Sequence, residues 1–440
     1  MAATIQEQVR AAGVVGAGGA GFPTHVKLQA RVQHVIANGA ECEPLLKADQ
    51  QLLLAEADAL IAGLRAAMQA TGALRGTIAV KHKNADAITI LERRAGAEGI
   101  AVHALDDVYP AGDEQTLTYE VTGRVVPEGG LPLDVGVLVQ NVETLINVAY
   151  ALAGRPVTHT WVTIGGHVRR PVTLSLPVGM SIGAALQEAG GPTLADFVVL
   201  DGGPMMGRAV TDLTEPVLKT TKGLIVVPAD HYGTHELRQS LDSIVRRARA
   251  ACCNCTYCTE ICPRAMLGHR LQPHLLMRTL TYGLQDDTEY ANQAFLCCEC
   301  GLCTGAFACV MDLSPRQIYR RLKLLLAEKG VANPYREAPE RPHPAYEGRR
   351  VPMQRLLARL QVAHLDVPAP LDRREVAPQR VRIPLQQHTG APAEAVVRVG
   401  DTVRAGQVIG EIEDGKLGAR VHASIAGRVA AVDGHIVIEG

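Results

Sequence analysis

The spacing of apolar and polar positions predicts a helix and several strands in the first third of the chain. Residues 51–70 have apolar side chains at helical spacing, and residues 4–12 are also typical of a helix. Short apolar runs at 76–81 and 100–103 are typical of buried strands. Because strands alternate with helices here, we predict an α/β layer in this part of the chain.

The apolar pattern changes twice in the later parts of the chain. Residues 162–168 and 170–176 alternate like the two arms of a hairpin, and a short helix at 182–189 ends at a Gly-Gly pair. These features predict a small mixed domain of strands and one helix, of the β-grasp type. From Val381 onward, short alternating strands are separated by glycine turns, which predicts an all-β domain.

Helices are expected on both sides of a cysteine-rich region in the second half of the chain. We place them at 234–250, 264–282 and 315–329, with an acidic loop at 285–289. Residues 331–380 contain many Pro and Arg residues and show little periodicity. This composition predicts an extended linker.

Composition and charge exclude several classes of function. The 440 residues are enough for two to four domains, and 44 basic against 45 acidic residues give a net charge of -1. Aromatic residues make up only 3% of the chain, so neither charge nor stacking favours a nucleic-acid partner. No apolar run is long enough for a membrane span, and the first residues lack a signal-peptide core. We therefore expect a cytoplasmic protein.

Ten of the eleven cysteines lie between Cys252 and Cys309, in two similar blocks. The first block has the spacing C-x2-C-x2-C-x3-C-P, with which bacterial ferredoxins hold iron–sulfur clusters. The second block repeats C-x2-C-x2-C, with its last cysteine further on. The predicted cluster ligands are Cys252, Cys255, Cys258 and Cys262 in the first block and Cys297, Cys300, Cys303 and Cys309 in the second.

Two such blocks indicate two clusters that exchange their fourth ligands. In two-cluster ferredoxins the last cysteine of each block binds the other cluster, which would pair Cys309 with the first block and Cys262 with the second. Cys253 and Cys298 stand next to predicted ligands, so the spacing leaves open which member of each adjacent pair binds iron. A tetrathiolate zinc site is the alternative, although zinc usually takes two C-x2-C pairs.

A glycine-rich loop near the N-terminus is the second chemical signal. Gly16, Gly18 and Gly21 match G-x-G-x-x-G, and Glu41 follows 20 residues after the last glycine. No strand is predicted before the loop, so the match to a dinucleotide fingerprint is weak. Glycines nevertheless let backbone N–H groups approach a phosphate or a flat ring, and Lys27 would supply a cation. The alternative is a tight turn without a ligand.

Three N-terminal segments resemble a known group of flavoproteins. They are residues 18–28 (GGAGFPTHVKL), 38–44 (NGAECEP) and 140–145 (QNVETL). The segments are similar to the FMN-binding fold of the 51 kDa subunit of respiratory complex I. They are still more similar to the C subunit of Rnf complexes and to PduS-type cobalamin reductases. The barrel-sandwich segment comes last here, as in the PduS type, whereas it comes first in the Rnf subunit.

The resemblance implies a multidomain α/β protein. Its parts would be a Rossmann-like FMN- and NADH-binding domain (1–155), an SLBB β-grasp domain (156–230), a helical two-cluster ferredoxin-like domain (231–330), a linker (331–380) and a C-terminal barrel-sandwich hybrid domain (381–440). The C-terminal domain has no lysine motif for lipoyl or biotin at the expected hairpin tip, so a covalent cofactor is not expected there.

The resemblance also implies the residues of the flavin site. The backbone contacts to FMN would come from Gly16, Gly18, Gly19 and Gly21. The side chains beside its phosphate, ring or ribityl chain would be Lys27, Asn38, Glu41, Glu43, Asn141 and Thr144. The candidate catalytic residues, near the flavin or the nicotinamide, would be Glu41, Asp113 and Glu114.

The implied function is NADH-dependent reduction of cobalamin, for recycling of coenzyme B12 in a bacterial microcompartment. Electrons would pass from NADH through FMN and two [4Fe-4S] clusters to the cobalamin, because flavin couples two-electron to one-electron chemistry. Implied partners are NADH, cobalamin or a cobalamin adenosyltransferase, and a microcompartment shell protein. Two alternatives remain open: an Rnf-C-like NADH:ferredoxin oxidoreductase subunit, and an electron-relay module without an NADH site.

Overall fold

The computed structural model describes residues 3–231, 234, 239–282 and 288–440. The strands of the N-terminal domain are β1 (His34–Gly39), β2 (Arg75–Lys81), β3 (Ala101–Leu105), β4 (Val108–Tyr109) and β5 (Val137–Asn141). Four of them form a parallel sheet in the order β3–β2–β1–β5. The predicted α/β layer is confirmed, because the expected strands at 76–81 and 100–103 fall within β2 and β3.

Both faces of this sheet are covered. The N-terminal helices are α1 (Ile5–Ala11), α2 (Thr24–Lys27), α3 (Ala48–Ala55), α4 (Ala57–Thr71), α5 (Ala85–Gly96), α6 (Glu114–Thr122) and α7 (Val142–Leu152). Side chains of β1 alternate between the two faces: Val35 packs in a core with α4 and α7, whereas Ile36 packs with Leu117 of α6. α4 and α7 pack closely at Gly63, where an added Cβ would lie 1.8 Å from the carbonyl oxygen of Leu145.

The helix predicted over residues 51–70 is two helices rather than one. The break between α3 and α4 falls at Glu56, whose φ of -125° and ψ of 27° are not helical. Glu56 Oε2 accepts a hydrogen bond from the Tyr150 hydroxyl of α7 at 2.7 Å. A tertiary contact therefore accompanies the break, and apolar spacing alone does not reveal it.

The second domain is a mixed sheet with one helix. Its elements are β6 (His159–Gly166), β7 (Val172–Pro177), α8 (Ile182–Glu188), β8 (Phe197–Asp201), β9 (Arg208–Val210) and β10 (Gly223–Pro228). β6 and β7 form the predicted antiparallel hairpin, and β10 lies parallel to β6. α8 starts at an N-cap, Ser181, whose hydroxyl accepts from the N–H of Ala184, and it ends before Gly190 and Gly191 as predicted.

The cysteine-rich region is helical. Its helices are α9 (Leu241–Ala251), α10 (Tyr257–Glu260), α11 (Pro263–Met266), α12 (Pro273–Tyr282), α13 (Thr288–Asn292) and α14 (Pro315–Glu328), with a 3₁₀ turn at Gln293–Leu296. The single helix predicted over 264–282 is wrong, because Gly268 takes a φ of +96° and separates α11 from α12. Most of the predicted acidic loop at 285–289, and part of the basic helix expected from Thr234, lie outside the described residues.

The region expected to be an extended linker, 331–380, is instead packed and partly regular. It contains α15 (Tyr346–Arg349), β11 (Val351–Pro352), α16 (Met353–Arg359), a 3₁₀ turn (Ala363–Leu365) and β12 (Leu371–Asp372). β11 pairs with β4 of the N-terminal domain, and β12 extends the sheet of the second domain beside β7. Leu356 and Leu360 are fully buried. This segment therefore joins domains by packing against them.

The C-terminal domain is all-β, as predicted. Its strands are β13 (Arg380–Pro384), β14 (Glu394–Ala395), β15 (Thr402–Val403), β16 (Val408–Glu411), β17 (Val421–His422), β18 (Gly427–Val432) and β19 (His435–Glu439). They form two small sheets, β13–β19–β18–β15 and β14–β16–β17. The sheets share one apolar core that includes Ile383, Ile409 and Ile436.

Helix length bears on the question of a membrane span. In the described part of the chain, no helix is both long and apolar enough to cross a bilayer. α4 has 15 residues and α14 has 14, whereas a span needs about 20 apolar residues.

Candidate functional site

The glycine loop between α1 and α2 is closed by hydrogen bonds of its own. The N–H of Gly16 donates to the carbonyl of Phe22 at 2.9 Å, and the N–H of Gly21 donates to the carbonyl of Gly16 at 3.2 Å. The N–H of Ala17 donates to Thr144 Oγ1 at 2.9 Å, which ties the loop to α7. Gly19 and Gly21 have φ values of +109° and +63°, a region that favours glycine.

The tip of the loop presents backbone donors to solvent. Gly18, Gly19 and Ala20 are exposed. Within the described chain, the N–H groups of these three residues donate to no protein acceptor. Consecutive free N–H groups on a glycine turn form an anion-binding concavity. The loop therefore fits the phosphate of a nucleotide such as FMN.

The loop lies over the carboxyl end of the parallel sheet, where β1 and β5 end side by side. An added Cβ at Gly18 would lie 3.4 Å from Asn141 Cβ. Asn141 is the N-cap of α7, and its Oδ1 accepts from the N–H of Glu143 at 2.9 Å. Asn38 Nδ2 at the end of β1 donates to the carbonyl of Gly112 at 2.9 Å. Ligands of open α/β sheets bind at this end of the strands.

Lys27 supplies a cation to the same region. Its Nζ lies 2.8 Å from Glu114 Oε1 and donates to the carbonyl of Val139 on β5 at 3.2 Å. Glu114 opens α6, where a carboxylate is favoured by the helix dipole. Lys27 and Glu114, both predicted site residues, are thus brought together as an ion pair.

Two glutamates follow β1 and have raised pKa values. Burial, with the nearby carboxylate of Asp49, raises the pKa of Glu41 to about 8. Glu41 also has a φ of +36°, and its carboxylate accepts from the N–H of Asp49. Burial raises the pKa of Glu43 to about 8, although Glu43 Oε1 accepts from the N–H groups of Met205 and Met206 at 2.6 and 3.3 Å. Glu43 therefore links the flavin-type site to the second domain.

A buried network of charged residues contacts Asn141, one of the predicted site residues. Lys222 Nζ, from the second domain, lies 2.7 Å from Asp49 Oδ1 and 2.5 Å from Glu143 Oε2. Asp49 Oδ2 accepts from Asn141 Nδ2 at 2.6 Å. Burial opposes the charge of Lys222, but the two carboxylates raise its pKa above the ordinary value. The network joins α3, α7 and the second domain at one point.

Asp113 and Tyr109 connect the N-terminal domain to the cysteine-rich region. Asp113 is the N-cap of α6, and both of its oxygens are engaged by the guanidinium of Arg264, at 2.6 and 2.8 Å. The Tyr109 hydroxyl donates to the carbonyl of Cys300 at 2.7 Å. Cys42 packs into the same apolar cluster as Tyr109 and Cys300. The N-terminal domain and the cysteine-rich region therefore pack directly against each other.

The cysteines line two separate hollows. The one nearer the N-terminal domain, here called the inner hollow, is lined by Cys262, Cys297, Cys300 and Cys303. The outer hollow is lined by Cys252, Cys255, Cys258 and Cys309. Each set of four combines three cysteines of one block with the last cysteine of the other. This is the grouping that the ferredoxin spacing predicts.

The hollows differ in exposure. Cys262, Cys300 and Cys303 of the inner hollow are buried, whereas Cys255 of the outer hollow is exposed. Cys298 also lines the inner hollow, and Cys253 also lines the outer one. Both members of each adjacent cysteine pair therefore border a hollow. Four thiols around a hollow are the donor set of an iron–sulfur cluster.

The structure therefore brings the predicted flavin residues to one end of one sheet and the predicted thiols to two hollows. Sequence reasoning did not find Asp49, Tyr109, Lys222 or Arg264. Lys222 and Asp49 are 173 residues apart, and no motif marks either of them. Arg264 follows the Cys-Pro pair directly, a position that suggested a helix start and gave no sign of an ion pair.

Comparison with protein families assigns each region. Residues 9–150 match the Nuo51 FMN-binding domain, residues 161–209 the SLBB domain, residues 251–314 a 4Fe-4S dicluster domain and residues 371–440 the RnfC barrel-sandwich hybrid domain. These matches confirm a multidomain α/β protein with a flavin-type and an iron–sulfur domain. The N-terminal sheet is parallel and that of the second domain is mixed, and no closed barrel is found among the described strands.

Individual relatives cover almost the whole chain. The cobalamin reductases PduS of Salmonella typhimurium and Citrobacter freundii are each 44% identical to it, over 97% and 98% of this chain and 94% and 95% of their own lengths. The C subunit of the Na⁺-translocating ferredoxin:NAD⁺ oxidoreductase complex of Acetobacterium woodii is 36% identical over 59% of this chain and 57% of its own. The resemblance predicted from the sequence is thereby confirmed, and the chain belongs to the PduS cobalamin reductase family.

Proposed function

We propose that this protein is an oxidoreductase that uses NADH to reduce cobalamin, with FMN and two [4Fe-4S] clusters as its internal cofactors. The observation that supports this most directly is the contact between the inner thiol hollow and the flavin-type domain, through Tyr109–Cys300 and Asp113–Arg264. Such a contact supports electron transfer between a flavin site and a one-electron site within a single chain. The 44% sequence identity to cobalamin reductases, over nearly the full length of the chain, supports cobalamin as the electron acceptor.

FMN would be held at the carboxyl end of the N-terminal sheet. The free N–H groups of Gly18, Gly19 and Ala20 would bind its phosphate, and Lys27 would supply a cation. Asn38, Glu41 and Asn141 lie at the ends of β1 and β5, where they would border the ring and the ribityl chain. When bound, FMN accepts a hydride and releases electrons singly. The parallel strand order supports a Rossmann-like description of this domain.

The acidic residues differ in what they are free to do. Asp113 uses both oxygens on Arg264, so we assign it a positioning role between the flavin-type domain and the inner hollow. Glu114 is paired with Lys27 and would set the charge near the flavin phosphate. Glu41, with a pKa raised to about 8 by burial and Asp49, would hold a proton near the flavin at neutral pH.

Cys262, Cys297, Cys300 and Cys303 would bind the inner cluster, and Cys252, Cys255, Cys258 and Cys309 the outer cluster. The exchange of the last cysteine between blocks supports a ferredoxin-like description of this domain. The exposure of Cys255 makes the outer hollow the side from which an external acceptor is reached. Cobalamin, free or held by an adenosyltransferase, would approach there. The β-grasp description of the second domain and a microcompartment location, with a shell-protein partner, belong to the same proposal.

The function is tested with anaerobically purified protein that has been reconstituted with iron, sulfide and FMN. NADH is added, flavin bleaching is followed by absorbance, and cluster reduction is followed by EPR. Cobalamin is then supplied, and its reduction is followed by its own absorbance bands. We expect bleaching, cluster reduction and cobalamin reduction, in amounts that match the FMN and iron bound.

Three results would count against parts of the proposal. Dithionite-reducible clusters with a flavin that NADH does not bleach would indicate an electron relay without an NADH site. Bleaching without cobalamin reduction, but with rapid ferredoxin reduction, would favour the function named for the Acetobacterium woodii complex. Stoichiometric zinc without acid-labile sulfide would remove the iron–sulfur assignment.

A further inference from the structure

The glycine loop is held by a domain that lies more than 350 residues further along the chain. Thr389, in the loop that follows β13, donates its N–H to the carbonyl of Gly21 at 3.0 Å. Its hydroxyl donates to the carbonyl of Ala20 at 2.9 Å, across a sequence separation of 369 residues. One residue of the C-terminal domain thus fixes two successive carbonyls on the C-terminal side of the loop.

The same side of the loop is closely packed. An added Cβ at Gly21 would lie 3.1 Å from Thr220 Cγ2 and 3.2 Å from both the carbonyl oxygen of Gln387 and the Cα of His388. Gly21 also has a φ of +63°. The second and C-terminal domains therefore leave no room for a side chain at this turn.

The N-terminal side of the loop is anchored by a buried lysine. Lys219 is only 3% exposed, and its Nζ donates to the carbonyls of Gly13 and Arg420, both at 2.8 Å. Its backbone N–H donates to Gln387 Oε1 at 3.1 Å. Lys219 belongs to the second domain, Gly13 to the N-terminal domain, and Arg420 and Gln387 to the C-terminal domain. Three domains therefore meet at the start of the loop.

These anchors act on a segment that would otherwise be costly to order. Glycine loses more backbone freedom on ordering than any other residue, and four of the six residues from Gly16 to Gly21 are glycine. The N–H groups at the tip, Gly18 to Ala20, are left without protein acceptors, whereas both flanks are fixed from outside the N-terminal domain. A loop whose flanks are held in the binding conformation has less entropy to lose when a ligand binds.

We propose that the C-terminal all-β domain is a part of the flavin site. Thr389 of this domain, together with Lys219 and its hydrogen bonds to Gly13 and Arg420, pre-organises the glycine loop for the phosphate of FMN. Thr389 and Lys219 are positioning residues, since they would act on the ligand through the loop backbone that they contact. This positioning role rests on the proposed function, because it assumes that the loop binds FMN. It gives a non-covalent role to a domain for which the sequence predicts no covalent lipoyl or biotin.

The test compares Thr389→Val, which keeps the shape but loses the hydroxyl donor, with Thr389→Ser, which keeps the donor. Thr402→Val is the matched control, because Thr402 is exposed in β15 of the same domain. FMN affinity is measured anaerobically from the quenching of flavin fluorescence by reconstituted protein. Loss of one hydrogen bond at the anchor is expected to weaken FMN binding about 3- to 10-fold, with near wild-type affinity in Thr389→Ser and Thr402→Val. Iron content and melting temperature are expected to stay unchanged in all three.

A second measurement separates the anchoring from the flavin assignment. Deuterium exchange of the peptide that contains residues 13–28 is followed in flavin-free protein, and Thr389→Val is expected to exchange faster there than the wild type. Equal FMN affinity and equal exchange in Thr389→Val and wild type would overturn the proposed role of the C-terminal domain. If the wild type binds no FMN, yet Thr389→Val still speeds exchange, the proposed function fails while the anchoring of the loop stands.

Discussion

Arg264 and Asp113 form a bidentate ion pair, with Nη1–Oδ2 at 2.6 Å and Nη2–Oδ1 at 2.8 Å. Arg264 lies two residues after Cys262 of the inner hollow, and Asp113 caps the helix that begins at Glu114. Both side chains are largely buried, with exposed fractions of 9% and 13%. The pair therefore fixes the position of the inner hollow relative to the flavin-type domain.

Asp113→Ala is expected to uncouple these two regions. It leaves the Arg264 guanidinium buried without its carboxylate, which costs about 3–5 kcal/mol of unfolding free energy. We expect NADH to bleach the flavin as before, but to reduce the clusters more slowly. Stopped-flow absorbance measures the bleaching, and freeze-quench EPR measures the cluster reduction.

Asp58→Ala is the matched control for this ion pair. Asp58 pairs with Arg94 at 2.9 Å, but it is 84% exposed, and exposed pairs contribute little. Its variant should keep the wild-type stability and rates. If Asp113→Ala transferred electrons from flavin to clusters as fast as the wild type, the positioning role of the pair would be rejected.

The two hollows are expected to act in sequence, the inner one first. Cys255→Ser should remove the outer cluster and abolish cobalamin reduction, while NADH still reduces the inner cluster. Cys300→Ser should remove the inner cluster, so that NADH bleaches the flavin and no cluster signal appears. EPR after NADH addition, compared with EPR after dithionite, measures both variants. The opposite pattern, with cluster reduction by NADH surviving only in Cys300→Ser, would reverse the order.

Local sequence patterns marked the thiols and the glycine loop as candidate sites, because those groups are spaced along a few residues. The ferredoxin spacing predicted which cysteine of each block would join the other, and the structure groups Cys262 and Cys309 accordingly. Local patterns were insufficient where separate domains meet. Lys222 completes the buried network of charged residues from 173 residues away, and nothing near it in sequence indicates a partner.

The segment 331–380 shows why low periodicity was misleading. Its Pro and Arg content suggested a solvated linker, yet it forms short elements that pack against two other domains. Leu356, Leu360 and Val362 are fully buried, but Leu356 lies in a helix of only seven residues, and Leu360 and Val362 follow its end. A periodicity argument needs several turns or strand repeats, which such a segment does not provide.

Lys222→Met is expected to be strongly destabilising. It leaves the carboxylates of Asp49 and Glu143 buried without their shared cation, which costs about 3–5 kcal/mol. Chemical denaturation followed by circular dichroism measures the loss. Lys416→Met is the control, since Lys416 pairs with Glu413 on the surface and its loss should leave stability unchanged. The triple variant Asp49→Asn, Glu143→Gln, Lys222→Met should recover part of the loss, whereas no recovery would mean that packing, and not charge, sets the cost.

FMN affinity is expected to fall as the pH rises, because of Glu41. Burial and the Asp49 carboxylate raise the pKa of Glu41 to about 8, so the side chain is neutral below that pH and negative above it. The FMN phosphate is already charged over the range from about pH 6.5 to 9, since its second pKa is about 6. Above about pH 8 the ionised Glu41 therefore adds repulsion to a bound anion, and the Kd for FMN should rise. Glu41→Gln is neutral throughout and should flatten the profile, with Glu98→Gln, on the surface, as the control. A flat wild-type profile would contradict the prediction, and a pH dependence that Glu41→Gln left unchanged would belong to another group.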